Sequence, residues 1–184
     1  MDVSQAPQTY EFIRISLLEL NIKIIELWFK YMIFTWRWWL NVGATLIPWI
    51  VWIILRKKES TDRLLYAGVL GAGIAGLLDG IGVEYGVWDY RYKLEPLIPG
   101  FFPFDFSLFP VAVMLSLQYL PKLNPIVKAV AFSAFSSFIV EPFWVSLQIY
   151  HHKSWKHYYS FPVLVVIYLI IYYVAFRRSK FEPL

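Results

Sequence analysis

Residues 64–83 read LLYAGVLGAGIAGLLDGIGV, a run with one charge, Asp79, and a small residue in every turn. A helix needs about 20 mostly apolar residues to cross a hydrocarbon core of about 30 Å, so this stretch reads as a membrane span. Gly68, Ala72, Gly76 and Gly80 recur every fourth residue on one helical face. Small residues at that spacing let backbones approach closely in lipid, where packing replaces the hydrophobic effect, and this predicts that the span is the central, most enclosed helix.

Four further stretches flank it. Trp38–Leu55 is uncharged and ends at Arg56-Lys57-Lys58; Phe106–Pro121 is uncharged but short; Ala129–Tyr150 carries only Glu141; Tyr158–Phe176 is uncharged and runs into Arg177-Arg178. The expected fold is therefore all-α, an integral membrane bundle of about five transmembrane helices over residues 38–176, followed by a basic tail over 177–184. Composition agrees: 59% of the 184 residues are apolar, 16% are charged and 20% are aromatic, with a mean hydropathy of +0.53. The absence of Cys removes disulfides, thiol catalysis and thiolate metal sites. A dispersed net charge of +4 argues against a nucleic-acid surface. Charges recur through Glu11–Lys30, unlike a signal peptide, so the mature chain is expected to begin near Met1.

Positive charge orients the spans. The Arg56–Arg63 connection, the Pro121–Lys128 turn and the tail after Phe176 share one side if there are five spans, which places that side and the C-terminus in the cytoplasm of a cell membrane. Upstream, Tyr10–Arg37 places Glu19, Lys23, Glu26, Lys30 and Arg37 in one stripe, with Ile13, Leu17, Leu20, Ile24, Leu27 and Met32 around the rest. Residues 1–37 read as an amphipathic helix lying in the interface. The alternative is a sixth, tilted span with its charges facing the bundle.

Carboxylates inside spans are costly, about 2.5 to 3.5 kcal/mol on insertion scales, and usually face the protein interior. Counted at about 1.5 Å per residue from the cytoplasmic ends, Asp79 and Glu141 both lie about 22 to 24 Å up, in the outer leaflet. The loop from Glu84 to Asp105 and the run His151–His157 enter at that level. The candidate acids are Asp79, Asp89, Asp105 and Glu141. Crowded carboxylates raise one another's pKa, which would make them proton donors. Glu84, Tyr85, Trp88, Tyr90, Arg91, Phe143, His151 and His157 are the candidate binding residues around them. Because a short third span leaves a gap, the Gly86–Pro103 loop is expected to dip into the membrane and take the acids as polar partners. The predicted result is a cavity open sideways to lipid, lined by Asp79, Tyr85, Trp88, Asp89, Asp105, Glu141 and Phe143. Three readings of the cluster stand side by side. The acids are structural ion-pair members, or they form a pocket for a membrane lipid or isoprenoid, or His151 and His157 join acids around a metal. No His pair has helical i,i+4 spacing, so neither metal nor cofactor is assigned. The usual catalytic signatures are absent, which leaves open whether the chain is an enzyme. A small proton-coupled transporter is a further alternative, set against the lack of buried polar residues in the cytoplasmic half. Homo-oligomerisation is left open.

The order Asp79-Gly80, Tyr85-Gly86-Val87-Trp88-Asp89-Tyr90, Phe102-Pro103-Phe104-Asp105, Leu108-Phe109-Pro110, Gln118-Tyr119-Leu120-Pro121, Glu141-Pro142 and Trp155-Lys156-His157-Tyr158-Tyr159-Ser160 resembles an uncharacterised family of small multi-spanning membrane proteins of spore-forming Bacillus-like and Clostridium-like bacteria. The resemblance covers residues 38 to 176 and implies a bacterial cytoplasmic-membrane protein, with no reaction attached. A weaker similarity links the chain to membrane-embedded carotenoid and terpene cyclases, in which carboxylic acids in an apolar cavity protonate a polyene. That resemblance implies Asp79, Asp89, Asp105 and Glu141 as the acids. Pro103-Phe104-Asp105 supplies one acid where the cyclase pattern has Pro followed by paired acids.

Overall fold

The computed structural model describes residues 5–119 and 121–177; the expected basic tail lies outside them beyond Arg177. Among the described residues there are six helices and one pair of very short strands, besides a 3-10 turn at Lys58–Ser60: α1 (Ala6–Tyr31), α2 (Trp36–Leu55), α3 (Thr61–Glu84), β1 (Trp88–Tyr90), α4 (Phe104–Gln118), α5 (Pro125–Ser146), β2 (Tyr150–His152) and α6 (His157–Arg177). It is a helical bundle, and among the described residues four helices, α2, α3, α5 and α6, are long and apolar enough to cross a membrane. The expected third span is the exception to the count of five. Prolines and the Phe101 turn bound α4 at Phe104–Gln118, about 22 Å at the usual helical rise.

Prolines shape α4 and α5. Pro110 has no N–H for the carbonyl of Phe106, four residues back, and the helix opens into a π turn over Phe104–Leu108. The freed Phe106 carbonyl accepts the indole N–H of Trp49 from α2 at 3.0 Å. The same device recurs in α5, where Ser136–Val140 form a π turn just ahead of Pro142.

The central place of α3 is as expected, but its packing face is rotated. The buried positions are Arg63, Leu64, Ala67, Gly68, Gly71, Ala75, Asp79 and Gly82. A Cβ on Gly68 would stand 2.7 Å from Met114 Sδ, and one on Gly71 would stand 3.2 Å from Ile171. At Gly80 nothing lies within 4 Å. A spacing alternating three and four residues follows the 3.6-residue turn better than a strict four, so the stripe ending in Gly80 drifts off the contact face. Around α3 the bundle core is built from Leu64, Val113, Met114, Leu117, Tyr168 and Ile171.

The end bearing Arg56–Lys58 also corrects an expectation, since it contains buried polar side chains. Lys128 Nζ donates to the carbonyls of Ser116 and Tyr119 at 2.9 Å each, and Arg63 Nη1 donates to Ala175 at 3.4 Å. Lys128 thereby satisfies carbonyls at the C-terminal end of α4 that have no intrahelical donors.

The N-terminal helix stops at Tyr31, short of the expected Arg37. Phe34 takes a left-handed conformation (φ 61°) and Thr35 caps α2, which claims Arg37. Along α1 only Trp28 is buried, and its indole N–H donates to the carbonyl of Lys93 at 2.9 Å.

Candidate functional site

The end opposite Arg56–Lys58 is organised by β1 and β2. They pair antiparallel with Trp88 opposite His152, Asp89 opposite His151 and Tyr90 opposite Tyr150. Alternation along a strand sends Trp88 and Tyr90 to one side and Asp89 to the other. Gly86, with φ of 65°, makes the turn from α3 into β1, and Gly82 lets the Trp88 ring lie directly on α3, where a Cβ would come within 2.0 Å of the ring.

Asp79 is the hub of this arrangement. Its Oδ1 accepts Trp88 Nε1 at 2.6 Å and the Tyr90 hydroxyl at 2.8 Å, and its Oδ2 accepts the backbone N–H of Phe101 at 2.6 Å. The Gly86–Pro103 loop thus takes an acid of α3 as its polar partner. Asp105, in the first turn of α4, is 2% exposed, and its carboxyl shares the space over Gly100 with that of Asp79. Both carboxyls crowd the Cα of Gly100, where a Cβ would stand 2.7 Å from Asp105 Oδ2 and 2.9 Å from Asp79 Oδ2. No protein N–H or O–H reaches Asp105 Oδ2.

The second acid centre is Glu141. Its Oε1 lies 2.7 Å from His152 Nε2, and Tyr150 and Glu141 line the same cavity. The two centres are joined by aromatic stacking, Phe101 on Tyr90 at 5.0 Å and Tyr90 on Tyr150 at 5.1 Å. Register therefore sets Tyr90 and Tyr150 side by side. Burial first, and then the charge of Asp79, hold the Tyr90 phenol well above its ordinary pKa; burial and Glu141 do the same for Tyr150. The Tyr90 phenol acts as a hydrogen-bond donor to Asp79.

Between the centres lies a cavity of about 140 Å³. Its wall includes Asp79, Trp88, Tyr90, Phe101, Asp105, Ser136, Glu141, Trp144, Tyr150, Trp155 and Ser160. It reaches the surface at Leu78 of α3 and Val163 of α6, both exposed side chains. No Lys, Arg or His belongs to the wall.

Of the residues singled out in the sequence, Asp79, Trp88, Tyr90, Asp105 and Glu141 line this cavity. Others expected there do not. Tyr85 is 83% exposed past the end of α3, and Phe143 points outward from α5. Asp89 faces away from Trp88 and Tyr90, lies 3.8 Å from Lys153 and caps the backbone N–H of Tyr90 at 2.8 Å. Arg91 is exposed, and His151 pairs with Asp89 on the outer side of the sheet. His157 stands near His152 with ring centroids 6.3 Å apart but does not line the cavity. Glu84 and Tyr85 line a separate groove on the other flank of α3. Among the described residues no group of three His, Asp or Glu side chains could hold a metal ion.

Sequence reading missed His152, Tyr150, Phe101 and Gly100. The one available signal was alternation, since Tyr150-His151-His152 mirrors Trp88-Asp89-Tyr90 in setting two ring-bearing residues astride a middle position that faces away. Comparison with protein-family models, curated proteins and solved structures finds no match for this chain.

Proposed function

We propose that this is a multi-pass protein of a bacterial cytoplasmic membrane that binds part of a lipid or isoprenoid in the cavity beneath β1 and β2. The sheet end then lies in the outer leaflet and the C-terminus in the cytoplasm, a placement supported by Arg56, Lys57, Lys58 and Arg177 at the other end. One observation carries the reading: an aromatic cavity that reaches lipid-facing Leu78 and Val163 and holds Asp79, Asp105 and Glu141 in its wall without a basic residue. At about 140 Å³ it is close to the ~150 Å³ of an engineered cavity that takes benzene. It therefore admits one isoprene-sized group or a small head, with the rest of the molecule in the membrane. An anionic head would meet like charges, so the bound part is neutral or cationic.

The test uses the full chain purified in mild detergent, with farnesol as probe and native mass spectrometry as readout. The protein should retain or take up the isoprenoid, and Val163→Trp at the mouth should abolish binding while leaving the melting temperature unchanged. Equal binding by Val163→Trp, or no uptake by the unaltered chain, would overturn the reading.

A second reading, a non-enzymatic protein with structural carboxylates, is favoured at one residue, because Asp79 already holds Trp88, Tyr90 and Phe101. The two readings separate when Asp79→Asn and Asp105→Asn are compared. A structural role for both acids lowers melting in each variant without changing occupancy by farnesol. A pocket role for Asp105 changes occupancy in Asp105→Asn with melting retained.

A further inference from the structure

The aromatic cavity is negative without being a good hydrogen-bond acceptor. Asp79, Asp105 and Glu141 stand in its wall with no Lys, Arg or His beside them. Their oxygens are largely taken. Asp79 accepts from Trp88, Tyr90 and the Phe101 amide, Glu141 Oε1 lies on His152 Nε2, and Asp105 Oδ2 is shut in against Gly100. Charge acts through space and still reaches an occupant, whereas a hydrogen bond needs a free lone pair. A primary ammonium brings three N–H donors, each costly to leave unmade once buried. A quaternary ammonium brings none.

Aromatic rings supply much of the rest of the wall. Trp155 stands at 69° to Trp88 and Trp144 at 73° to Phe101, with centroids 5.1 Å apart in each pair. A group seated in the corner of two such rings meets ring faces, the negative part of the aromatic quadrupole. A cation within about 6 Å of a ring centroid is attracted there, and most strongly where water is excluded. Tyr90 plays another part, since Phe101 and Tyr150 stack on it and its hydroxyl goes to Asp79. Size agrees. A trimethylammonium head has fewer heavy atoms than the benzene that a cavity of ~150 Å³ takes, and about 140 Å³ is present here.

We propose that the cavity receives a quaternary ammonium group, admitted between Leu78 and Val163. The proposal rests on the cavity reading above and narrows the occupant to a permanent cation without N–H donors, carried by a lipid head or by a free solute.

The test titrates the full chain in uncharged detergent with three probes: choline, 3,3-dimethylbutanol, which has carbon in place of the nitrogen, and ethanolamine, whose ammonium is primary. Choline should bind about tenfold or more tighter than either of the others, the order of one or two desolvated cation–π contacts. Val163→Trp at the mouth should abolish that binding. Ser160→Lys puts a fixed positive charge in the wall and should weaken choline about tenfold, and farnesol less. Should that variant not accumulate, Trp155→Leu is expected to weaken choline and Trp155→Phe to retain it. Dodecyltrimethylammonium binding tighter than choline assigns the head to a lipid, and equal binding assigns it to a free solute; either outcome keeps the cation. Equal affinity for 3,3-dimethylbutanol or ethanolamine, or choline binding that survives Val163→Trp, would overturn the proposal. Farnesol uptake that persists in those cases leaves the cavity reading in place, and its loss removes both.

Discussion

Both ends of the bundle cover helix-end carbonyls with basic side chains, but among the described residues only the sheet end buries carboxylates. At the Arg56–Lys58 end, α2, α4 and α6 terminate and expose carbonyls, and the side chains present there donate: Lys128 to Ser116 and Tyr119, Arg63 to Ala175, Gln118 Nε2 to Leu55 at 2.8 Å. Positive groups at helix C-termini also agree with the helix dipole. At the sheet end, α3 and α5 terminate; Arg37 Nε donates to the Leu147 carbonyl at the end of α5 at 2.9 Å, and the buried charged side chains there are the acids Asp79 and Asp105. Asp79 sits in the last two turns of α3, where the dipole disfavours a carboxylate, and it is held only by bringing Trp88, Tyr90 and the Phe101 amide onto it. Asp105 begins α4, where the dipole is favourable, and it is the acid left with a free oxygen. A carboxylate in the unfavourable place has been fully satisfied, and one in the favourable place is buried with one oxygen that accepts no N–H.

The strongest way to break this contrast is at Asp79. Asp79→Leu leaves three buried donors without an acceptor and should destabilise by about 3 kcal/mol or more, at about 1 to 3 kcal/mol for each orphaned group. Asp79→Asn, which keeps an acceptor, should cost clearly less. Thermal melting in detergent reads the difference, and equal losses for the two substitutions would remove Asp79 as hub.

A smaller effect is expected at the other end. Lys128→Met should cost about 1 to 2 kcal/mol, the range for a partly buried cation at a helix C-terminus. Because the two sites lie at opposite ends with no shared partner, the double variant with Asp79→Asn should be additive within about 0.5 kcal/mol. A larger coupling energy would mean that the ends are not independent.

The smallest effect is confined to alkaline pH. Burial raises the Tyr90 and Tyr150 phenols, so the folded chain keeps two protons that the unfolded chain gives up near pH 10. Their contribution is fully present below about pH 10 and is lost as pH rises through the folded values. Melting temperature should fall above that point, and less steeply in the Tyr90→Phe, Tyr150→Phe double variant. An identical slope in both would show that these phenols titrate normally.

Much of the helical framework was legible because lipid imposes it: an uncharged run of sufficient length has few other uses, and α2, α3, α5 and α6 lie where such runs occur. The use of Asp79 as polar partner by the Gly86–Pro103 loop was legible too, since a carboxylate kept in an apolar helix needs donors from nearby backbone or side chains. The strands were not. Three residues carry too little periodicity to announce a strand, and Tyr150 stood at the end of an apolar run that continues the α5 pattern. Without β2, the alternation that turns His152 inward to Glu141 and His151 outward cannot be assigned, and the adjacent histidines are indistinguishable. Gly100 was unreadable for a related reason, because its value lies in two carboxyls that converge on it from α3 and α4.

The donors that serve the acids are close to them along the chain. Trp88, Tyr90 and Phe101 follow Asp79 by 9, 11 and 22 residues, and His152 follows Glu141 by 11. During synthesis each acid is therefore handed to the membrane within a segment that already contains its own partners, before distant helices have been made. The cost of about 2.5 to 3.5 kcal/mol for a lone acid at mid-membrane is then met one hairpin at a time. Biogenesis of the chain needs no waiting intermediate in which a bare carboxylate faces hydrocarbon.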